Sequence, residues 1–169
     1  MEYEIIYSAR KTIAIQITKN CDVVVRAPYG ASMARIKDFV SKHEAWVASH
    51  LEAQKAKKQA FPEPTEAELE ALTRSAKETI PERVAYFSEI MGVSPSHISI
   101  NRAKTRFGSC SQNGRINFSC RLMRYPSEAI DYVVVHELAH LKHLNHSKAF
   151  WAFVERFLPD YRERKKLLK

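Results

Sequence analysis

Along the first thirty positions apolar residues alternate with polar ones, and beyond them they recur every three or four. Residues 3–8, 12–18 and 23–27 read as three strands. In the second, Ile13, Ile15 and Ile17 alternate with less apolar neighbours and define one buried face. Residues 19–22 form a turn, and Pro28 and Gly30 stop the third strand. Three consecutive short strands predict an antiparallel meander. From the capping residue Ser32, the positions Ile36, Phe39, Val40, Trp46, Val47 and Leu51 share one helical face, which predicts a single amphipathic helix with that face in the core. His43 and His50, seven apart, fall beside this stripe and read as interfacial residues. The chain turns polar over 55–59 and breaks at Phe61-Pro62-Glu63-Pro64. That break separates an N-terminal meander and helix, residues 1–60, from a second region, residues 61–169, within what is expected to be one compact unit.

Thr65 and Glu68 have capping-box spacing at the head of the next helix. Its inward stripe runs through Leu69, Leu72 and Ala76, meets Pro81, where a kink or interruption is expected, and resumes with Val84, Phe87, Ile90 and Met91 before Gly92 stops it. Residues 97–101, 106–111 and 115–119 then read as strands. Asn113-Gly114 lies between the last two and predicts a two-residue hairpin turn that would set Cys110 opposite Asn117. Ser127 is placed to cap a helix whose core face is Ile130, Val133, Val134, Leu138 and Leu141. Ser147 caps a last helix that packs through Phe150, Val154 and Phe157 and ends at Pro159, leaving a frayed basic tail.

The chemistry is concentrated in the helix after Ser127. Residues 136–146 read H-E-x-x-H-x-x-x-x-x-H, and four of the seven histidines of the chain fall in these eleven positions. Residues four apart lie one above the other on a helix, so His136 and His140 can aim two imidazoles at one point. Neutral imidazole is a good zinc ligand, and a catalytic zinc commonly has three protein ligands and one open position. His146 supplies the third ligand if the chain turns back after Leu144-Asn145. His143, three after His140, has poorer geometry and reads as a supporting or surface residue. Glu137, about 100° around the helix from His136, can reach a water on the metal and act as general base. A developing oxyanion needs a further donor, for which Arg106 and the Gly108-Ser109 segment are the candidates.

Composition narrows the setting. The 169 residues carry 27 Lys and Arg against 19 Asp and Glu, a net charge of +8. The balance is compatible with a polyanion or nucleotide partner, but the aromatic residues do not interleave with the basic ones, and specific nucleic-acid binding is not expected. No apolar run approaches the ~20 residues needed to span a bilayer, and the acidic start Met1-Glu2-Tyr3-Glu4 is not a signal peptide. Cys21, Cys110 and Cys120 are too scattered for a disulfide framework or a cysteine zinc site. A reduced, cytoplasmic protein is expected, with no membrane association and an oligomeric state that the sequence leaves open.

Several further stretches carry a family likeness: residues 3–8 with Arg10-Lys11-Thr12, residues 23–28, Phe107-Gly108-Ser109-Cys110, residues 131–135 leading into the histidine motif, and His146-Ser147-Lys148-Ala149-Phe150-Trp151. Over nearly its whole length the chain resembles the YgjP-like zinc metallopeptidase domains, related to the WLM group, of the zincin class. The resemblance implies an α+β fold, with a zincin-like core in which the H-E-x-x-H helix lies against a small β-sheet. It also implies zinc held by His136, His140 and His146, with Glu137 as base. Phe107 stands where the family pattern has Trp, and Ser119 where it has Asn. The absence of Gly at position 143 and of a following Met separates the chain from the metzincins. The implied activity is zinc-dependent hydrolysis of peptide bonds. A UTP pyrophosphatase activity, also associated with a resembling member, and a non-catalytic zinc-stabilised binding module are the alternatives.

Overall fold

Val23-Val24-Val25 is a continuous apolar run, the pattern of a strand covered on both sides, and it forms the centre of the first sheet. The computed structural model describes residues 1–168, the Lys57 side chain excepted. The chain divides into two compact units, residues 1–63 and 64–169. In the first, β1 (Glu4–Ser8), β2 (Ala14–Ile17) and β3 (Val23–Pro28) are ordered β1-β3-β2. β1 runs parallel to β3, with Ile5 opposite Val25, and β2 runs antiparallel to it, with Ile15 opposite Val25. The expected meander is therefore corrected to a mixed sheet. Alternation within β1 and β2 identifies a buried face but not a partner, and both strands border the most apolar one.

Ser32 caps α1 (Met33–Lys42) by accepting from the Arg35 N–H, and Ile36 and Val40 close over Val25 and Ala27. The single expected helix is two: the chain breaks at His43 and continues as α2 (Glu44–Ala60). His43 and His50 each bond through Nδ1 to the carbonyl four residues back, Phe39 and Trp46, so both rings satisfy their own helices. Trp46, placed in the core stripe by its spacing, is 42% exposed and stacks on His50 instead.

The second unit is built on α3 (Glu66–Met91), whose start is the predicted capping box: Thr65 Oγ accepts from the Glu68 N–H, and the Glu68 carboxylate accepts from the Thr65 N–H. The helix continues through Pro81 without interruption. Its buried face is Ala76, Ile80, Val84, Phe87 and Met91, while Ile90, expected inside, is exposed. A second three-stranded sheet follows, ordered β4-β6-β5 from β4 (His97–Asn101), β5 (Gly108–Cys110) and β6 (Arg115–Ser119). β4 is parallel to β6, and β5 is antiparallel to it and lies at the edge. The hairpin register differs from the two-residue expectation. Cys110 faces Ile116, Gly114 N–H donates to Ser111 O, and Gly114 has φ +73°, so the loop has three residues ending in a left-handed glycine.

Between β6 and the next helix lies a 3-10 helix (Cys120–Arg124) that periodicity did not predict. Ser119 caps it by accepting from the Arg121 N–H, and its hydroxyl donates to Ala103 O at 2.7 Å. The Ser119 backbone N–H donates to Phe107 O at 2.8 Å, which secures the loop entering β5. α4 (Ser127–Ala139) is capped at Pro126 and not at Ser127, whose hydroxyl turns to Glu128. α5 (Lys148–Phe157) is capped by Ser147 as expected. The tail forms α6 (Tyr161–Lys166) where fraying was expected; Lys169 lies outside the described residues.

α4 is the axis of this unit. Ala129, Ile130, Val133, Val134, Val135, Leu138 and Ala139 are buried along it, and it packs against α3, α5, α6 and β5. Asp131, thirteen per cent exposed, ties three of these elements together. Arg83 of α3 donates to it twice, at 2.7 and 2.9 Å, and Arg164 of α6 approaches at 3.4 Å while also pairing with Asp160. This ion cluster, with the buried Tyr161, ties the basic tail to the rest of the unit. No helix among the described residues is long and apolar enough to cross a membrane.

Candidate metal centre

α4 ends at Ala139, two residues before the last position of its expected apolar stripe, and His140 is its C-cap. His136, one turn back, and His140 still project from the same side, with ring centroids 4.9 Å apart. The chain then turns through residues 141–147 without regular structure and brings His146 back over the helix end. Its ring lies 4.9 Å from that of His136 and 4.8 Å from that of His140. One potential ligand atom from each of the three lies within 4.8 Å of the others, and they form the one such cluster among the described residues. His136 Nε2 and His146 Nε2 face each other at 3.0 Å.

Phe150, fully buried in the first turn of α5, forms the floor of this group. Its ring centroid is 5.0, 4.6 and 4.9 Å from those of His136, His140 and His146. A dry floor disfavours charge. Burial, followed by the neighbouring imidazoles and Lys165, pushes His136 down to about 3. Burial also lowers His140. Both are therefore neutral at ordinary pH, the form in which imidazole binds metal. His140 Nδ1–H donates to the carbonyl of His143 at 3.0 Å, which leaves its Nε2 lone pair free. His143 thus serves through its backbone, while its ring packs on Phe153.

Glu137 is 6% exposed, and burial raises its carboxyl to about 7. It lies against β5: a Cβ at Gly108 would sit 2.6 Å from Glu137 Oε1. By strand alternation Cys110 shares the Gly108 face and Ser109 has the other, where its partner Asn117 accepts from Ser99. Arg106 is exposed in the loop before β5. The structure therefore brings together the three histidines, keeps Glu137 next to His136 on α4 with the backbone of Gly108 against its carboxylate, and places the Ser109 side chain on the far face of the sheet. Phe107 packs edge-on against Tyr125, at 5.0 Å between centroids.

Three imidazoles with two Nε2 atoms face to face suit a shared cation. Tetrahedral zinc with bonds of about 2.0–2.1 Å would hold such nitrogens about 3.3 Å apart. No fourth protein ligand joins the cluster among the described residues, so a metal held by the three would keep a position for water or substrate.

A family model for the YgjP-like metallopeptidase domain matches residues 11–70 and 59–169. The chain belongs to the YgjP-like metallopeptidase domain family. With the family comes the metallopeptidase class of hydrolases and the requirement for a divalent metal, typically zinc. No curated protein matches the chain. Two solved structures are similar to it. One is the metallopeptidase zymogen of Pyrococcus abyssi abylysin, 26% identical, with a TM-score of 0.48, covering 52% of this chain and 90% of that one. The other is the metallopeptidase zymogen of Methanocaldococcus jannaschii jannalysin, 20% identical, with a TM-score of 0.47, covering 53% of this chain and 92% of that one.

Several site features escaped the sequence reading. Phe150 was legible as core but not as the floor of the histidines, Trp151 was legible as part of the family likeness but not as a wall of the site, and Lys165 carried no signal of its own. Gly108 could have been noticed, since a glycine beginning a strand next to a reactive helix marks a close backbone approach.

Proposed function

We propose that the chain is a zinc-dependent peptidase with a zincin-like core, in which His136, His140 and His146 hold the metal and Glu137 is the general base. The observation that carries this reading is the convergence of three imidazoles, with a buried carboxylate next to the first of them in α4 that abuts an edge strand. A bound zinc supplies Lewis acidity, lowering the pKa of a coordinated water from about 15.7 to about 7 and polarising a carbonyl oxygen. The Glu137 carboxyl, raised to about 7, is matched to accepting a proton from the attacking water near neutral pH and returning it to the departing amine. β5 has an edge that pairs with no strand among the described residues, so an extended peptide can add to it through main-chain hydrogen bonds and lie across the site. Arg106, exposed at the entrance to β5, and the backbone N–H of Gly108, which the antiparallel pairing turns away from β6, are the candidate donors to the developing oxyanion.

The test is cleavage of a peptide library by zinc-loaded protein, alongside Glu137→Gln and His146→Ala. Loss of cleavage in Glu137→Gln with zinc retained, and loss of zinc in His146→Ala, is the expected result. UTP turnover that disappears in Glu137→Gln, with no peptide cleaved, would replace the peptidase by a pyrophosphatase. Zinc binding with neither activity would favour the non-catalytic module.

A further inference from the structure

The three histidines are held in different ways. His136 is carried by α4, and His140 is fixed by its Nδ1 bond to His143 O at 3.0 Å. His146 is exposed, lies in an irregular segment, and bonds only to His136 Nε2 among the described residues. A histidine ligand ordinarily has its second nitrogen fixed by an acceptor. In its place, His146 has an aromatic wall. Its ring stacks on Trp151 at 5.7 Å and 23° between planes, and meets Phe150 edge-on at 4.9 Å and 75°. Phe150 touches all three ligands, whereas the near-parallel stacking with Trp151 is particular to His146; His136 meets the same indole at a 52° tilt.

Trp151 is itself supported from α6. The Tyr161 ring stacks on it at 5.3 Å and 16°, and Lys165 Nζ lies 5.3 Å from the indole centroid. Tyr161 is buried, and α6 is tied to α4 through Arg164 and Asp131. A continuous set of contacts therefore runs from the ligand helix through α6 and the indole to His146; His136 Nδ1 is likewise unpartnered among the described residues, but His136 is carried by α4, whereas His146 lies in an irregular segment. Stacking restricts the tilt of an imidazole while leaving both nitrogens open.

Resting on the metal-site reading above, we propose that Trp151 is the positioning residue for the third ligand: it holds the His146 ring in its binding orientation before metal arrives. Trp151 touches neither the reacting atoms nor the metal, and its effect is on metal affinity.

The experiment measures zinc affinity by chelator competition in wild type, Trp151→Phe and Trp151→Leu, with metal-free melting temperatures alongside. It also records proton nuclear Overhauser contacts between His146 and Trp151 in metal-free wild type. Trp151→Leu should bind zinc about tenfold more weakly, and Trp151→Phe, which keeps an aromatic face, should stay within about threefold of wild type. The His146–Trp151 contacts should be present without metal. Unchanged affinity in Trp151→Leu overturns this inference alone, as does absence of those contacts in metal-free protein. If Trp151→Leu does not fold, the contact measurement decides. A wild type that binds no zinc overturns the metal-site reading and this inference together.

Discussion

The Glu137 carboxylate occupies the space that a side chain at Gly108 would fill. A Cβ at position 108 would lie 2.6 Å from both Glu137 Cγ and Oε1, inside any contact distance a real carbon tolerates. With Glu137 buried on α4, an alanine there has to displace the carboxylate or the edge strand. Gly108→Ala should therefore lower kcat/KM for peptide cleavage by about a hundredfold, the scale of losing a positioned general base. Overpacking should also cost about 1–3 kcal/mol of stability. Zinc content, measured by elemental analysis, should stay at the wild-type level, because no ligand is moved. Wild-type kinetics in this variant would refute the assignment of Glu137.

Phe150 has a double part as core residue and floor of the histidines. Phe150→Leu keeps most of the volume and should cost only about 1 kcal/mol in denaturant unfolding. It removes the flat ring that all three imidazoles contact, so zinc affinity should fall in the same protein. Phe150→Ala should cost about 3–5 kcal/mol. A stable Phe150→Leu with undiminished zinc binding would show the floor to be ordinary core.

Asp131 separates stability from chemistry. Asp131→Asn leaves Arg83 and Arg164 facing a neutral group and should cost about 2 kcal/mol, below the value for a fully buried pair because the Arg83 side chain is 36% exposed. The loss belongs to the contacts of α3 and α6 with α4, so zinc stoichiometry should be unaffected. Urea unfolding and elemental analysis of the variant check both halves.

The capping box of α3 predicts a pH dependence. The Thr65 backbone N–H, followed by its hydroxyl, holds the Glu68 carboxyl below its ordinary value of 4.5. A depressed folded value means that the stabilisation is present above the unfolded value and is lost as the pH falls through the folded one. The stability difference between wild type and Glu68→Ala should therefore be present at neutral pH and shrink as the pH falls below 4.5. A difference independent of pH would remove the charge from this cap.

Local chemistry was legible in the sequence wherever it depended on near neighbours. His136 and His140 share a helix face because the helical period sets it, and Thr65, Ser32 and Ser147 cap because a hydroxyl there reaches an unpaired N–H of the first turn. What failed was pairing and register. β2 alternates as a meander strand should, yet both β1 and β2 border β3, and Asn113-Gly114 closes a three-residue loop where two were expected. Alternation reports which face is buried and is silent on which strand lies alongside.

The sequence by itself determined that this chain carries a helix with two histidines on one face and a carboxylate beside the first of them. It also determined the α3 capping box and the apolar stripe of α4. Each of these follows from the spacing of residues within one element. The tertiary structure alone decided that His146 returns to the helix end, that Phe150 and Trp151 wall the histidines, that Gly108 stands against Glu137, and that Asp131 pairs with Arg83 and Arg164 across α3, α4 and α6. Those relations join residues far apart in the chain, and they are set by how side-chain volume and charge are shared when α3, α4, α5, α6 and β5 are packed together.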